Sequence, residues 1–163
     1  VHTTLLGGYS YHEQNLHITD GFQTIPLSGA FAGLDSTYSA QWKGPWMGVK
    51  LESAVDQWLG AFRFEYHWAQ YDAKADWNLR DDFQHPVSYT HEADGTGSVI
   101  SLGAGYQITD KWSLSLKADI ENWETDAGTD RVFFSNGTTA ETRLNIVNWE
   151  SMAIMLGTSY LFS

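Results

Sequence analysis

The chain has no cysteine, few prolines, few cations and no long apolar run. Each shortage excludes something. Without cysteine there is no disulfide framework and no thiolate metal site. Nine Lys and Arg against 20 Asp and Glu, a formal charge of −11, exclude a nucleic-acid binder, whose partner's phosphates need a basic face. No stretch approaches the length of apolar sequence that crosses a bilayer as a helix. The chain opens on VHTTLL, without the basic-then-apolar pattern of a signal peptide. No segment combines helical spacing with helix caps.

Aromatics are abundant, with eight Trp, eight Tyr and eight Phe, and glycine is frequent. They fall into a period of two, the period of a strand. In WLGAFRFEYHWAQY, Trp58, Gly60, Phe62, Phe64, Tyr66 and Trp68 alternate with Leu59, Ala61, Arg63, Glu65 and His67. WSLSLKADIENW sets Trp112, Leu114, Leu116, Ala118 and Ile120 against Ser113, Ser115, Lys117, Asp119 and Glu121. SVISLGAGYQI, WMGVKLESAV and STYSAQW repeat the pattern, the last with Tyr38, Ala40 and Trp42 on its apolar face. In the first segment Leu5, Tyr9 and Tyr11 oppose Gly8, Ser10 and His12.

Soluble sandwiches and lipocalin-like barrels alternate too. Four features favour a barrel in a membrane. The polar face is rich in Gly and Ser, which suits a crowded lumen. Its charges come as compensating neighbours: Lys50 with Glu52, Arg63 with Glu65, Lys117 with Asp119 and Glu121. Trp and Tyr bound the apolar faces, as an interfacial girdle requires. Long and short connections alternate. A mean hydropathy of −0.33 is compatible, because lumen-facing polar residues offset lipid-facing apolar ones.

The pattern predicts one domain over 1–163, an all-β, antiparallel, eight-stranded transmembrane β-barrel with both termini periplasmic. Strands are expected near 2–12, 22–32, 36–43, 46–55, 58–71, 97–108, 112–123 and 144–162. Short turns lie at 33–36, 56–57 and 109–111, and KGP at 43–45 is a short connection on the long-loop side. Long connections lie at 13–21, 72–96 and 124–143. Pro26 makes the second strand the weakest member, since proline is a poor central-strand residue. The last strand is expected to pair with the first, removing both edges.

The inward set Lys50, Glu52, Arg63, Glu65, His67, Lys117, Asp119 and Glu121 reads as a salt-bridged network filling the lumen, because eight strands leave room for little more than side chains. A conduction path or proton relay is the sharper alternative. The loop 72–96 holds Asp72, Asp76, Asp81, Asp82, Glu92 and Asp94 with His85 and His91. It lacks EF-hand spacing and reads as a solvated acidic loop rather than a divalent-cation site. No metal ligand set and no cofactor motif is found. Trp77, Phe83, Tyr89, Phe133 and Phe134 are the aromatic contact candidates of the long loops. Phe133 and Phe134 precede an SNG turn signal.

The chain's end carries a resemblance. Ile154, Leu156, Tyr160 and Phe162 resemble the C-terminal signal of bacterial outer-membrane proteins, in which a terminal aromatic follows alternate apolar positions. Ser163 departs from that pattern. The resemblance implies the outer membrane of a Gram-negative bacterium, a surrounding of lipid and lipopolysaccharide, and insertion by the barrel-assembly machinery. GLDSTYSAQWKGPW and TRLNIVNWES are similar to outer-membrane proteins distantly related to omptin proteases. Omptins are longer, ten-stranded, and use paired Asp with an Asp–His motif at the outer rim. Here His85 precedes Pro86 and His91 precedes Glu92, so omptin catalysis is not carried over.

Three function classes remain. One is a structural or interaction barrel touching a protein or surface polymer through its outer loops, which the sequence favours. Another is a rim hydrolase acting on peptide or lipid, for which Ser88, Ser98, Ser135, His85 and His91 are available without any spacing that singles them out. The last is a narrow porin-like channel.

Overall fold

A computed structural model describes residues 1–162 of the chain; Ser163 lies outside the described residues. The long strands are β1 (His2–Ile18), β4 (Ser36–Val55), β5 (Trp58–Asp76), β6 (Tyr89–Thr109), β7 (Trp112–Thr125) and β10 (Asn148–Tyr160). Two hairpins fill long connections: β2 (Phe22–Thr24) with β3 (Leu27–Ala30), and β8 (Gly128–Phe133) with β9 (Thr139–Leu144). The main sheet is antiparallel in the order β1-β4-β5-β6-β7-β10, and β8 also pairs with β6.

That sheet has eight strands, but only the six on its main path are long enough to span the lipid, where eight are expected; β8 and β9, six residues each, lie off that path. Residues 36–43 and 46–55 are one strand, and 22–32 is a separate small hairpin turning at Ile25–Pro26. The expected loops shrink correspondingly. β1 runs on to Ile18, β5 to Asp76, β6 starts at Tyr89, and 124–143 contains the β8–β9 hairpin. Turns at 56–57 and 110–111 lie at one end, with His2 opposite Glu52 and the Leu161 amide donating to the Lys111 carbonyl. Both chain ends are therefore on the short-turn, periplasmic side. Among the described residues β1 pairs only with β4 and β10 only with β7, so the expected β1–β10 ladder is not among the pairings.

The break expected at KGP has a physical explanation. On β4, Met47, Val49 and Leu51 point outward and Gly48, Lys50 and Glu52 inward, since Lys50 registers with Arg63 and Glu52 with Ala61. Beyond Gly44–Pro45 the apolar residues change sides without any change of register. Trp42 and Ala40 are buried inside, while Lys43 and Gln41 lie on the outer face. β5 does the same after Trp68: Ala69, Tyr71, Ala73 and Ala75 are buried inside, and Gln70 and Lys74 are exposed. The strands leave the lipid there, so the outside becomes wet and the inside becomes the core. Pro45 is tolerated because β4 and β5 make no bridge at 44–45, and a Cβ on Gly44 would lie 1.8 Å from the Trp68 carbonyl oxygen.

The lipid-facing band agrees with this boundary. Trp58 and Trp68 are 61 % and 47 % exposed on the outer face of β5. Ten residues at about 3.3 Å, tilted about 40°, span about 25 Å, the height of such a band. Leu5, Leu102, Leu116, Met152, Ile154 and Leu156 are exposed within it. Trp112 and Tyr160 mark its lower edge, and Tyr9, Tyr11 and Tyr66 its upper one.

Candidate functional site

The inner face is built in layers across the strands. The lowest holds Glu52, Ala61, Gly103 and Lys117 in register; the next, Lys50, Arg63, Ser101 and Asp119; the next, Gly48, Glu65, Val99 and Glu121. All eight expected lumen residues share this face. Pairing runs along strands as well as across them: Lys50 Nζ to Glu52 at 2.6 Å, Lys117 Nζ to Asp119 at 3.0 Å, and Arg63 to Glu65. Ser101 donates to Asp119 at 2.5 Å. A residue two positions along a strand is on the same face, so these neighbours can meet.

Above the charges lies an aromatic floor, with Trp46, His67, Gly97, Trp123 and Trp149 in register. His67 is 2 % exposed and Trp123 1 %. Trp46 stacks on His67 at 5.7 Å, and Trp123 meets it at 4.8 Å. His12 on β1 reaches Trp123 on β7 at 4.7 Å, so the sheet curls until non-adjacent strands touch. Glycine makes room for these rings: a Cβ on Gly97 would sit 2.4 Å from Trp123. His67 Nδ1 is 3.0 Å from Ser10 Oγ, and its Nε2 is 3.2 Å from Glu65.

The extracellular core follows, with Trp42, Tyr71, Ala40, Ala69 and Ala73, against which Tyr38, Ala93, Leu144, Val147 and Trp149 pack. Alternation puts Trp42 on the lipid side, whereas it is a core residue. Trp123 is a second core ring, and its one mark in the sequence is that, unlike Trp112, it falls on the polar parity of β7. At the rim four strands converge. Tyr38 bonds Tyr71, His91 Nδ1 lies 3.3 Å from the Tyr38 hydroxyl, and His91 Nε2 lies 3.5 Å from Asp130 of the hairpin. Thr142 donates to Asp130 at 3.0 Å. Burial pushes the His91 imidazole below its ordinary value despite Asp130, and raises the hydroxyls of Tyr38, Tyr71 and Tyr89.

The long connections are tied down. Ser88 is fully buried, accepts from the Trp77 amide and donates to the Gln84 carbonyl, so it is committed to structure. Asn78 accepts from the Asp35 amide and the Ser36 hydroxyl and donates to the Gly33 carbonyl. The aromatic contact candidates largely hold each other: Trp77 with Phe83 and Tyr89, Phe83 with Phe134. Phe133 carries the backbone link to Ser88 and Gln84. His85 meets Asp76 at 2.5 Å, Ser98 is on the outer face opposite Tyr66, and Ser135 is at the β8–β9 turn. No group of three metal-ligating side chains gathers among the described residues. At the far end, Ile154, Leu156 and Tyr160 form one outward row, and Phe162 packs its ring 5.0 Å from Tyr160.

The fold resembles the outer-membrane protease OmpT from Escherichia coli, with TM-score 0.74 and 15 % sequence identity, covering 98 % of this chain and 57 % of that one. At that identity the likeness concerns fold alone. No curated protein matches the chain. Residues 3–162 match the model of the Protochlamydia outer membrane protein family, Pom. With its girdled lipid band and its inverted extracellular core, the chain is an outer-membrane β-barrel protein of a Gram-negative bacterium and belongs to the Pom family.

Proposed function

We propose that this chain is a structural and interaction protein of the outer membrane, and that its working surface is the extracellular platform. The observation that carries this reading is the apolar core that the strands build beyond the lipid. Spanning a membrane requires about ten residues per strand, whereas β4, β5 and β6 have 20, 19 and 21. The surplus supports the β8–β9 hairpin and the pinned loop 77–88. Lys43 pairs with Asp72 at 2.6 Å on the outward parity just above the boundary, and Glu13, Glu92 and Asp94 lie beside that pair, so a cationic protein segment or surface polymer fits best. The charges below fill the lumen rather than conduct, outer-membrane lipid and lipopolysaccharide surround the wall, and the row ending at Phe162 serves the assembly machinery.

The test uses proteoliposomes and a fluorescent oligo-lysine decapeptide. Glu13→Gln, Glu92→Gln and Asp94→Asn together should keep heat-modifiable gel migration while weakening peptide binding at least tenfold. Unchanged, salt-dependent binding by that variant would refute the platform.

A second reading, a rim hydrolase, is favoured by one observation, the His91–Asp130 pair beside Tyr38. It resembles the Asp–His pairs of omptins. Peptide cleavage abolished by His91→Ala would support it over the interaction reading.

A further inference from the structure

The lumen holds a constellation that neither filling nor docking explains. Ser10 Oγ is 3.0 Å from His67 Nδ1, and His67 Nε2 is 3.2 Å from Glu65 Oε2. A hydroxyl, an imidazole and a carboxylate thus form a chain, with Arg63 against the same carboxylate. The imidazole is held between Trp46 and Trp123. The three groups line a cavity of about 320 Å³. His12, two residues from Ser10 on the same strand face, lines it too, and its buried Nε2 has no partner. A buried nitrogen of that kind is costly unless something binds it. Below, a cavity of about 800 Å³ at the periplasmic mouth shares Arg63, Ser101 and Lys117 with the upper one, so the two adjoin.

We propose that Ser10 is the nucleophile of an esterase centre in the lumen, with His67 its base and Glu65 positioning the imidazole, acting on small uncharged carboxylic esters. Ser10 Oγ attacks the ester carbonyl carbon while its proton passes to His67 Nδ1. The negative charge develops on the carbonyl oxygen, toward which His12 in its Nε2–H tautomer donates. The bond to the alcohol oxygen breaks, and His67 returns the proton to that leaving oxygen. Water then attacks the acyl-serine, giving its proton to His67. The bond between the acyl carbon and Ser10 Oγ breaks, His67 gives that proton back to Oγ, and the acid departs. Arg63 and Lys117, common to both cavities, are paired with Glu65 and Asp119, and Glu121 leaves the lining net acidic, so an uncharged ester is the substrate it admits.

The protein folded in detergent, with heat-modifiable migration as the check on folding, is treated with diisopropyl fluorophosphate and read by intact and peptide mass. One adduct is expected, on Ser10. It should be absent in Ser10→Ala, and form at least tenfold more slowly in His67→Gln and in His12→Ala. Hydrolysis of p-nitrophenyl butyrate should follow the same order. Site mapping in the unmutated protein decides the matter even where a variant fails to fold. Folded protein without an adduct, an adduct on another serine, or undiminished labelling of Ser10→Ala overturns the assignment.

Discussion

Phe64 and Gln70 lie on the same outward side of β5, six residues apart, yet the structure places them in different solvents. Trp58 and Trp68 mark the two interfaces, so the middle of the lipid band falls near residue 63. Phe64 then faces the hydrocarbon close to its midplane, and Gln70 lies just outside it. Arginine on the lipid face at the midplane costs about 2–4 kcal/mol, and near or beyond the interface about 0–1. Phe64→Arg should therefore destabilise the barrel by about 3 kcal/mol and Gln70→Arg by less than about 1. The inner face should behave in reverse order of depth. Arg63 is already a lumen residue, whereas Ala73→Arg would force a charge into the extracellular core, where Ala73 is 7 % exposed. That substitution should be the most damaging of the three. Urea titration of protein folded in phospholipid vesicles, followed by heat-modifiable migration, measures all three. Equal penalties for Phe64→Arg and Gln70→Arg would refute the boundary at Trp68, and a harmless Ala73→Arg would refute the dry core above it.

Trp123→Ala removes a ring that is 1 % exposed and touches His12, His67, Trp42 and Trp149, and should cost about 3–5 kcal/mol in the same titration, well above Trp58→Ala at the lipid surface. Gly97→Val places a Cβ 2.4 Å from the Trp123 ring and should cost about 1–3 kcal/mol, relieved when combined with Trp123→Ala. His91 has a folded pKa below its unfolded value of about 6.5, so the unfolded state binds more protons. Stability is then constant above that value and falls as pH drops toward the folded pKa. Protection factors across 128–144, that is, exchange rates corrected for their intrinsic base catalysis, should fall as pH drops from 7.5 to 5.5, and His91→Gln should flatten the response; protection that rises in acid would mean that attraction to Asp130 outweighs burial.

The architecture below the boundary was legible because lipid imposes one rule over a long stretch. Every second residue from Trp58 to Trp68 obeys it, and β6, β7 and β10 repeat it at the expected positions. The same rule misled at Trp42. Alternation reports that a strand has two different faces, and it does not report which face is dry. When the apolar parity switches at Gly44–Pro45, a reader who holds lipid always outside must insert a turn, although the chain runs straight through. Proline strengthened that error, because its missing donor matters only where a neighbour would accept. The loop aromatics failed for a related reason. Composition marks Trp77, Phe83 and Phe134 as sticky, and only tertiary geometry shows them satisfied by each other.

The Ser10–His67 contact joins residues 57 apart in sequence, and no spacing rule reaches that far. Its register is nevertheless fixed by ordinary features. Ser10 is opposite Gly44, one residue from Pro45, and His67 is opposite Trp46. The close passage of β4 against β5 at Gly44 and the stack of Trp46 on His67 together set where β1 and β5 bring their inward side chains. The place where the lipid rule changes sign is thus also where a hydroxyl meets an imidazole. A lumen filled only for stability would be served by the paired charges below and the rings above. The unpartnered His12 Nε2 between them is the atom that such a filling leaves unexplained. Any account of this barrel as merely packed must supply a partner for it.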